Sequence, residues 1–254
     1  MAKIISLVSR KGGAGKSTTA QAMAAGFTAK GYRVLSVDLD GQGSLTHIMN
    51  AKDDGVSIVD VLTGKATITD AVQHTGAGDI IAAKASLDKV NITGDGAEFM
   101  LKELLEPVKG AYDLILIDTA AVVDIMTVNA LTASAGVIIP AQADALNLKA
   151  LSNTYVFIKQ MRNKLNAALK IYGVLLTRFN SRSKTAAQIA ETFGQAAEFM
   201  QTRLFSTRIR ESAAVGRSQG YKTDLLTYRP RSNAAKDYEA LINELEEILK
   251  LEAD

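Results

Sequence analysis

Residues 11–18 place three glycines, two lysines and two hydroxyl side chains in eight consecutive positions. Glycines let a backbone curl until successive N–H groups point inward around an anion. A helix beginning near Ser17 would add its N-terminal dipole, Lys16 would reach the β- and γ-phosphates of a nucleotide, and the Ser17 hydroxyl would bind Mg²⁺. The segment therefore predicts a phosphate-binding loop made by Lys11, Gly12, Gly13, Ala14, Gly15, Lys16, Ser17 and Thr18.

Three aspartates that close apolar runs could complete such a site. Asp38 and Asp40 stand two positions apart at the end of one run, so both side chains point to one face of an extended strand. Asp118 closes a second run, which starts after Tyr112. At the carboxyl edge of a parallel sheet, these groups could orient an attacking water or hold a water of the Mg²⁺ shell.

Short apolar runs alternate with longer amphipathic stretches along the chain. We predict strands at residues 4–9, 33–38, 79–83, 113–118, 136–140 and 171–177. We predict helices at residues 17–30, 97–109, 149–166, 184–200 and 233–251. Nearly uninterrupted Ile, Val and Leu is typical of parallel strands covered on both faces. The alternation predicts an α/β fold, with one domain over residues 1–254 and a doubly wound, mostly parallel sheet with helices on both faces.

Composition excludes several kinds of site. The 254 residues include no cysteine, which excludes disulfides, thiolate nucleophiles, cysteine-ligated zinc and iron–sulfur clusters. His47 and His74 are too few and too far apart in the sequence for a histidine metal cage. No apolar run reaches the roughly 18 residues that a membrane span needs, so we expect no membrane partner and a cytoplasmic protein.

The net charge of +2 conceals a strongly basic segment. Residues 170–236 hold 12 Lys and Arg against 4 Asp and Glu, whereas residues 237–254 hold 1 against 7. A basic surface suits a polyanion, because neutralising phosphates releases condensed counterions. The alternative is a solvated basic face that has no partner.

The phosphate-loop segment departs from the ordinary G-x-x-x-x-G-K-[ST] pattern, because Arg10 stands where its first glycine belongs. Its own form, K-G-G-x-G-K-S-T with Lys11 at the head, resembles the deviant Walker A motif of the ParA/MinD superfamily of ATPases. The resemblance extends to P-A-Q-A-D at residues 140–144 and Y-R-P-R-S at residues 228–232. It implies a P-loop NTPase fold, ATP and Mg²⁺ as cofactors, ATP hydrolysis, and a homodimer that forms when ATP binds.

The resemblance also implies individual roles. Lys11 would cross the dimer interface to the partner's nucleotide, and Lys16 would hold the phosphates. Asp40 would position the hydrolytic water, while Asp38 and Asp118 would support the metal shell. Arg178, after the strand predicted at 171–177, would contact the adenine.

The chain departs from the superfamily pattern at two places. Gly41 stands where a proline is usual, which is a small change, and Ala120 and Ala121 replace one or two prolines after Asp118. The change at Ala120 and Ala121 leaves nucleotide binding intact but leaves the hydrolysis rate open. A nucleotide-gated binding protein that barely hydrolyses ATP is therefore an alternative.

The branches of the superfamily can be sorted by sequence. The lack of cysteine excludes the nitrogenase iron protein, and the absence of a tyrosine-rich tail excludes the bacterial tyrosine kinases. The acidic residues after 237 would be repelled by an anionic membrane, unlike the basic tail helix of MinD-type proteins. The DNA-partition ATPases of the ParA/Soj group remain, with a ParA-like ATPase that positions a protein cargo as the alternative.

The ParA/Soj resemblance implies nonspecific double-stranded DNA, a ParB-like centromere-binding protein and the nucleoid as partners. The candidate DNA contacts are basic and lie in the last third of the chain: Arg203, Arg208, Arg210, Arg217, Lys222, Arg229 and Arg231. We see no aromatic residues interleaved among them for base stacking. We therefore expect contacts to the DNA backbone that are independent of sequence and steeply salt-sensitive.

Overall fold

All six segments predicted as strands form strands in the computed structural model, which describes residues 1–251. The strands are β1 (Lys3–Leu7), β2 (Val34–Leu39), β3 (Val72–Thr75), β4 (Gly78–Ile81), β5 (Leu114–Thr119), β6 (Gly136–Gln142), β7 (Lys170–Phe179) and β8 (Leu204–Arg210). They form one eight-stranded sheet in the order β3-β4-β2-β5-β1-β6-β7-β8. Every pairing is parallel except the β3–β4 hairpin at one edge. The predicted α/β class with a mostly parallel sheet is confirmed.

Helices cover both faces of this sheet. They are α1 (Lys16–Ala29), α2 (Ser44–Ile48), α3 (Ile58–Leu62), α4 (Met100–Leu105), α5 (Ile125–Ala133), α6 (Ala145–Lys164), α7 (Lys184–Phe199), α8 (Ala213–Gly220), α9 (Leu225–Tyr228) and α10 (Asn233–Leu249). Short 3₁₀ turns lie at Ala85–Lys89, Ala97–Phe99 and Glu106–Val108. Among the residues that the structure describes, no helix is both long and apolar enough to cross a lipid bilayer.

Alternate residues of the central strands pack into two hydrophobic cores, one on each face of the sheet. Ile5 and Leu7 of β1 face the layer formed by α1 and α10, where Phe27 and Tyr238 are fully covered. Ile4 and its neighbours on β2 and β5 face α3, α4 and α5. A third cluster packs β6 and β7 against α6 and α7. The sheet is thus buried on both sides, which explains its nearly continuous apolar strands.

Strand β1 lies at the centre of the sheet, between β5 and β6. The chain leaves β1 in one direction to reach β2 and later returns to the other side for β6. In open α/β sheets, the crevice at such a change of direction is where ligands bind. The loop after β1, residues 8–15, occupies this position.

Several element predictions were wrong in detail. The helix predicted at residues 97–109 is a short helix α4 between two 3₁₀ turns, because Pro107 lacks the N–H that a continuous helix needs. Strands β3 and β8 were not predicted, since β3 has no well-buried residue and only Phe205 and Ile209 of the seven residues of β8 are well-buried hydrophobics. Helices α2, α3, α5, α8 and α9 were also missed. The prediction for the acidic tail includes Glu252 and Asp254, which lie outside the described residues.

Candidate nucleotide-binding site

Two glycines give the loop after β1 its curl. Gly13 and Gly15 have φ of +75° and +92°, in the left-handed region that favours glycine. Helix α1 begins directly after Gly15, and the Thr19 amide donates to the Gly15 carbonyl at 2.9 Å. The loop therefore ends at a helix N-terminus, where amide groups and the helix dipole favour an anion.

Side chains of the neighbouring strands anchor the loop from behind. The Gln142 amide donates to the Gly13 carbonyl, and the Thr177 hydroxyl donates to the Ala14 carbonyl, both at 2.8 Å. The C=O and N–H groups of a trans peptide point in opposite directions, so the next amides turn away from these anchors. Neither contact was predicted from the sequence, in which Gln142 is only part of the P-A-Q-A-D motif and Thr177 only part of a strand.

A cleft of about 1110 Å³ opens over the loop. Residues 12–18 form its floor, and Asp40, Ala121 and Arg178 line its sides. The segment from Ile209 to Ala213 completes it. This volume is large enough for a nucleoside triphosphate. The structure thus brings the predicted phosphate loop, the predicted water-positioning aspartate and the predicted adenine contact into one cavity.

Lys16 lies at the base of the cleft and is only 8% exposed. Burial lowers the pKa of Lys16, and the negative charges of Asp118 and Asp40 oppose that shift. The ammonium group is therefore held among carboxylates in a partly dehydrated site. A cation in such surroundings acts on a phosphate more strongly than it would in water.

Asp118 is fully buried at the end of β5. Burial raises the pKa of Asp118, and the adjacent charge of Asp38 adds to the increase, while a hydrogen bond from Ser17 and the charge of Lys16 oppose it. Burying a carboxylate carries a large desolvation cost. Carboxylate and hydroxyl oxygens are what Mg²⁺ prefers, so Asp118 and Ser17 fit a hydrated magnesium ion.

Asp38 has a different environment, although it pairs with Asp118 across β2 and β5. One carboxyl oxygen accepts from the Thr46 hydroxyl at 2.7 Å and the Thr46 amide at 2.8 Å. The other accepts from the Asp40 amide at 3.1 Å. Burial raises the pKa of Asp38. Its oxygens hold the backbone that presents Asp40, a positioning contact that the sequence did not indicate, and its role in the metal shell stays a prediction.

Asp40 itself is half-buried, and its carboxyl group accepts a 3.0 Å hydrogen bond from the Gln42 amide. The neighbouring Gly41 packs tightly, since a Cβ atom there would lie 2.1 Å from a carboxyl oxygen of Asp88. A proline at this position, as the superfamily usually has, would require Asp88 to move. Gly41 thus leaves room for the Asp88 side chain.

Lys11 and Arg178 lie at the exposed rim. Lys11 is exposed, and within the described part of the chain no acid forms an ion pair with it. Arg178 has φ of +48° and its guanidinium lies 3.2 Å from the carboxylate of Glu211. A positive φ is uncommon for a residue with a bulky side chain, and residues in such a strained conformation are often found at ligand sites.

The basic residues predicted to contact DNA fall into two groups. Arg210 donates to Asp237 through two nitrogens, with a shortest contact of 2.6 Å, and Arg208 lies 4.9 Å from the centre of the Phe179 ring. The structure therefore sets Arg210 apart from the other candidates, because Asp237 already neutralises its charge. The remaining candidates are exposed, and none forms an ion pair with an acid in residues 1–251: Arg203, Arg217, Lys222, Arg229 and Arg231.

The statement that aromatic residues are not interleaved with these cations is wrong. Tyr221 and Tyr228 stack with ring centroids 5.5 Å apart and planes 28° from parallel. Each is next in sequence to a candidate cation, Lys222 or Arg229. The ring contact itself depends on the tertiary structure, because seven positions separate the two tyrosines and only the turn between α8 and α9 brings their rings together.

Comparisons with known proteins agree with this geometry. A family model described as an AAA domain matches residues 2–171. The sporulation initiation inhibitor protein Soj of Bacillus subtilis is 32% identical over 252 residues, covering 96% of this chain and 98% of that protein. The chromosome-partitioning ATPase Soj of Treponema pallidum is 30% identical over 250 residues, covering 96% and 97%.

Among solved structures, cobyrinic acid a,c-diamide synthase from Mycobacterium smegmatis with bound ADP and magnesium superposes with a TM-score of 0.85. The two sequences are 26% identical, and the match covers 98% of this chain and 96% of the synthase. The fold is therefore also found in proteins other than partition ATPases. The sequence matches over nearly the full length of the Soj proteins are what indicate the family of this chain. The chain belongs to the ParA/Soj-type partition ATPases of the ParA/MinD superfamily.

Proposed function

We propose that this ATPase partitions DNA by a cycle in which ATP binding closes a dimer that holds nonspecific duplex DNA and hydrolysis releases it. ATP would lie in the cleft over residues 11–18, with its phosphates against the loop amides and Lys16. Bound Mg²⁺ would neutralise charge on the β- and γ-phosphates. Ser17 and Asp118 would hold that ion and its waters, because Ser17 lines the cleft and the buried Asp118 carboxyl group interacts with Ser17 and Lys16.

Asp40 would orient the attacking water. Its carboxyl group lines the cleft, and hydrogen bonds from the Asp40 and Gln42 amides to Asp38 and Asp40 fix the backbone around it. An Asp40→Ala variant should therefore bind ATP and close the dimer but release phosphate far more slowly. Unchanged phosphate release, measured under single-turnover conditions, would remove Asp40 from the mechanism.

Lys11 would complete the site of a second subunit. It stands at the exposed rim without an ion pair in the described chain, so its ammonium group is available to a partner's nucleotide. A second cation stabilises developing phosphate charge most effectively where water is excluded, as it would be between two facing subunits. A ParB-like centromere-binding protein would act on this dimer and stimulate hydrolysis.

The observation that carries the DNA-binding step is that α8 bears an exposed cation and also contacts the phosphate loop. Arg217 lies on α8, and Gln219 on the same helix donates a 2.8 Å hydrogen bond to the Thr18 hydroxyl of α1. A change at the phosphate loop therefore has a direct contact through which to reach the basic surface. Arg217 and the other exposed arginines suit contacts to a phosphate backbone rather than to particular bases. The others are Arg203, Arg229 and Arg231.

The test is binding to random-sequence duplex DNA without nucleotide, with ADP and with ATP, each at two salt concentrations. We expect tight binding with ATP alone, falling steeply as salt rises. A variant with Arg229→Ala and Arg231→Ala should bind more weakly, whereas a variant with Lys65→Ala and Lys102→Ala, two exposed lysines outside the basic segment, serves as the charge-matched control. Absence of DNA binding in every nucleotide state would overturn the proposal.

A further inference from the structure

Tyr221 presents a free aromatic face beside the basic surface. The residue is 70% exposed, although one face of its ring is covered by Tyr228. Tyr228 is itself half-buried, so it holds Tyr221 from the protein side. The outer face of Tyr221 is therefore the open end of a two-ring stack.

Local hydrogen bonds fix the position of this stack. The Tyr221 and Lys222 amides donate to the carbonyls of Arg217 and Gln219, at 3.1 and 3.0 Å. The Thr223 hydroxyl donates to the Tyr221 carbonyl at 3.1 Å. Tyr221 thus has little backbone freedom to lose when a ligand covers it.

The surroundings of the stack are cationic. Residues 217–231 contain four cations and one acid, Asp224. That acid is buried and accepts a 2.9 Å hydrogen bond from the Thr227 amide, at the start of α9. Lys222 follows Tyr221 directly and has φ of +50°, a backbone conformation in which glycine is less strained. The turn therefore carries a cation next to the ring despite the strain.

An exposed aromatic face flanked by cations is the combination that binds unpaired bases. In a duplex, both faces of an interior base are already covered by its neighbours, so Tyr221 can stack only on a base that is free. We infer that Tyr221, supported by Tyr228 and flanked by Lys222 and Arg229, is a stacking site for the unpaired bases of a single-stranded nucleic acid. This inference deepens the proposed binding of nucleic acid and rests on it.

The test compares Tyr221→Ala and Tyr221→Phe with the unchanged protein, using fluorescence anisotropy with labelled single strands of DNA and of RNA and with a duplex. Loss of one base–aromatic stack should weaken single-strand binding by about 5- to 150-fold. Duplex binding should change by less than about twofold, and Tyr221→Phe should restore single-strand binding. The two single strands identify which nucleic acid is preferred. Phe199→Ala, which removes another largely exposed aromatic ring, on α7, is the control.

A spectroscopic measurement reports the contact itself. The chain has no tryptophan, so a Tyr221→Trp variant carries a single indole. Its fluorescence should be quenched when a single strand binds and should remain unchanged with a duplex. Phe199→Trp should show no quenching with either.

The outcomes separate this inference from the proposed function. If Tyr221→Ala leaves single-strand binding unchanged, or weakens single-strand and duplex binding equally, the stacking site is overturned while duplex binding by the cations stands. If the unchanged protein binds no single strand, the inference also fails. If it binds single strands through Tyr221 but no duplex, the stacking site stands and the duplex-based partition cycle falls.

Discussion

The side-chain amide of Gln219 donates a 2.8 Å hydrogen bond to the hydroxyl of Thr18, although 201 positions of sequence separate them. Thr18 lies two residues after Lys16 on α1, and Gln219 lies two residues before Tyr221 at the end of α8. One contact thus joins the helix that begins the phosphate site to the helix that leads into the tyrosine stack. Coupling between two ligand sites requires such a contact to differ between states.

Substitution of Gln219 should uncouple nucleotide and nucleic acid. In Gln219→Ala, we expect the ATP-dependent increase in DNA affinity to shrink by about 3- to 10-fold, the equivalent of one hydrogen bond. Affinity for ADP should change little, because the substitution leaves residues 11–18 of the phosphate loop themselves unchanged. Gln219→Glu, which can accept from the Thr18 hydroxyl, is the size-matched control. An unchanged ATP dependence of DNA binding in Gln219→Ala would contradict this coupling.

Substitutions of the two lysines of the phosphate loop should affect different properties of the protein. Lys16 is buried at the base of the cleft, so Lys16→Met should weaken ATP binding by about 10- to 150-fold, the range for hydrogen bonds to charged groups. Lys11 is exposed at the rim, so Lys11→Met should retain ATP affinity in the monomer but lose ATP-dependent dimerisation. Titration calorimetry and light scattering measure the two properties. Equal loss of ATP affinity in both variants would refute the separation.

Removal of the buried carboxylate of Asp118 should change how stability depends on pH. Burial raises the pKa of Asp118 to about 8, so the folded protein holds a proton that the unfolded chain has already lost. Without nucleotide and Mg²⁺, stability should therefore be greatest below about pH 4 for this group and fall as pH rises toward 8, by at most about 1.4 kcal/mol per pH unit. Asp118→Asn should flatten that decline in thermal unfolding.

Asp113→Asn is the control, because the pKa of Asp113 is shifted in the opposite direction to that of Asp118. The Arg33 side chain lowers the pKa of Asp113, so this group contributes stability above its ordinary pKa and loses it only in acid. Between pH 5 and 8 its variant should therefore be less stable than the unchanged protein by a constant amount, so the two profiles should run parallel. Parallel profiles for Asp118→Asn and the unchanged protein over that interval would show that Asp118 is ionised in the folded state without cost.

Arg210 and Arg229 should behave differently despite lying in the same basic segment. Arg210→Ala leaves Asp237, whose side chain is 12% exposed, without its partner, so it should destabilise the fold by about 1–3 kcal/mol. Arg229→Ala should leave the melting temperature unchanged but weaken DNA binding and reduce the salt slope by about 1. If Arg210→Ala instead alters only DNA binding, the Asp237 pairing is not structural.

Much of the nucleotide site could be predicted from local sequence, because each of its segments consists of residues that lie close together in the chain. The phosphate loop needs glycines, a lysine and a hydroxyl in adjacent positions, and Asp40 and Asp118 each close an apolar strand. The continuous apolar runs likewise predicted buried parallel strands. Chain order was less informative where polar and apolar residues mix, as in β8, or where Pro107 divides a helical pattern into short turns.

The contacts that hold and connect the site depend on the tertiary structure. Gln142 and Thr177 support the loop from β6 and β7, and Gln219 reaches Thr18 from α8, because the strand order places those elements around β1. The stack of Tyr221 on Tyr228 has the same origin, since it forms only when the turn between α8 and α9 closes. The sequence by itself thus determined the ligand groups that lie close together along the chain. Folding decided which distant side chains orient them, because hydrogen bonds and ring contacts depend on distance in space.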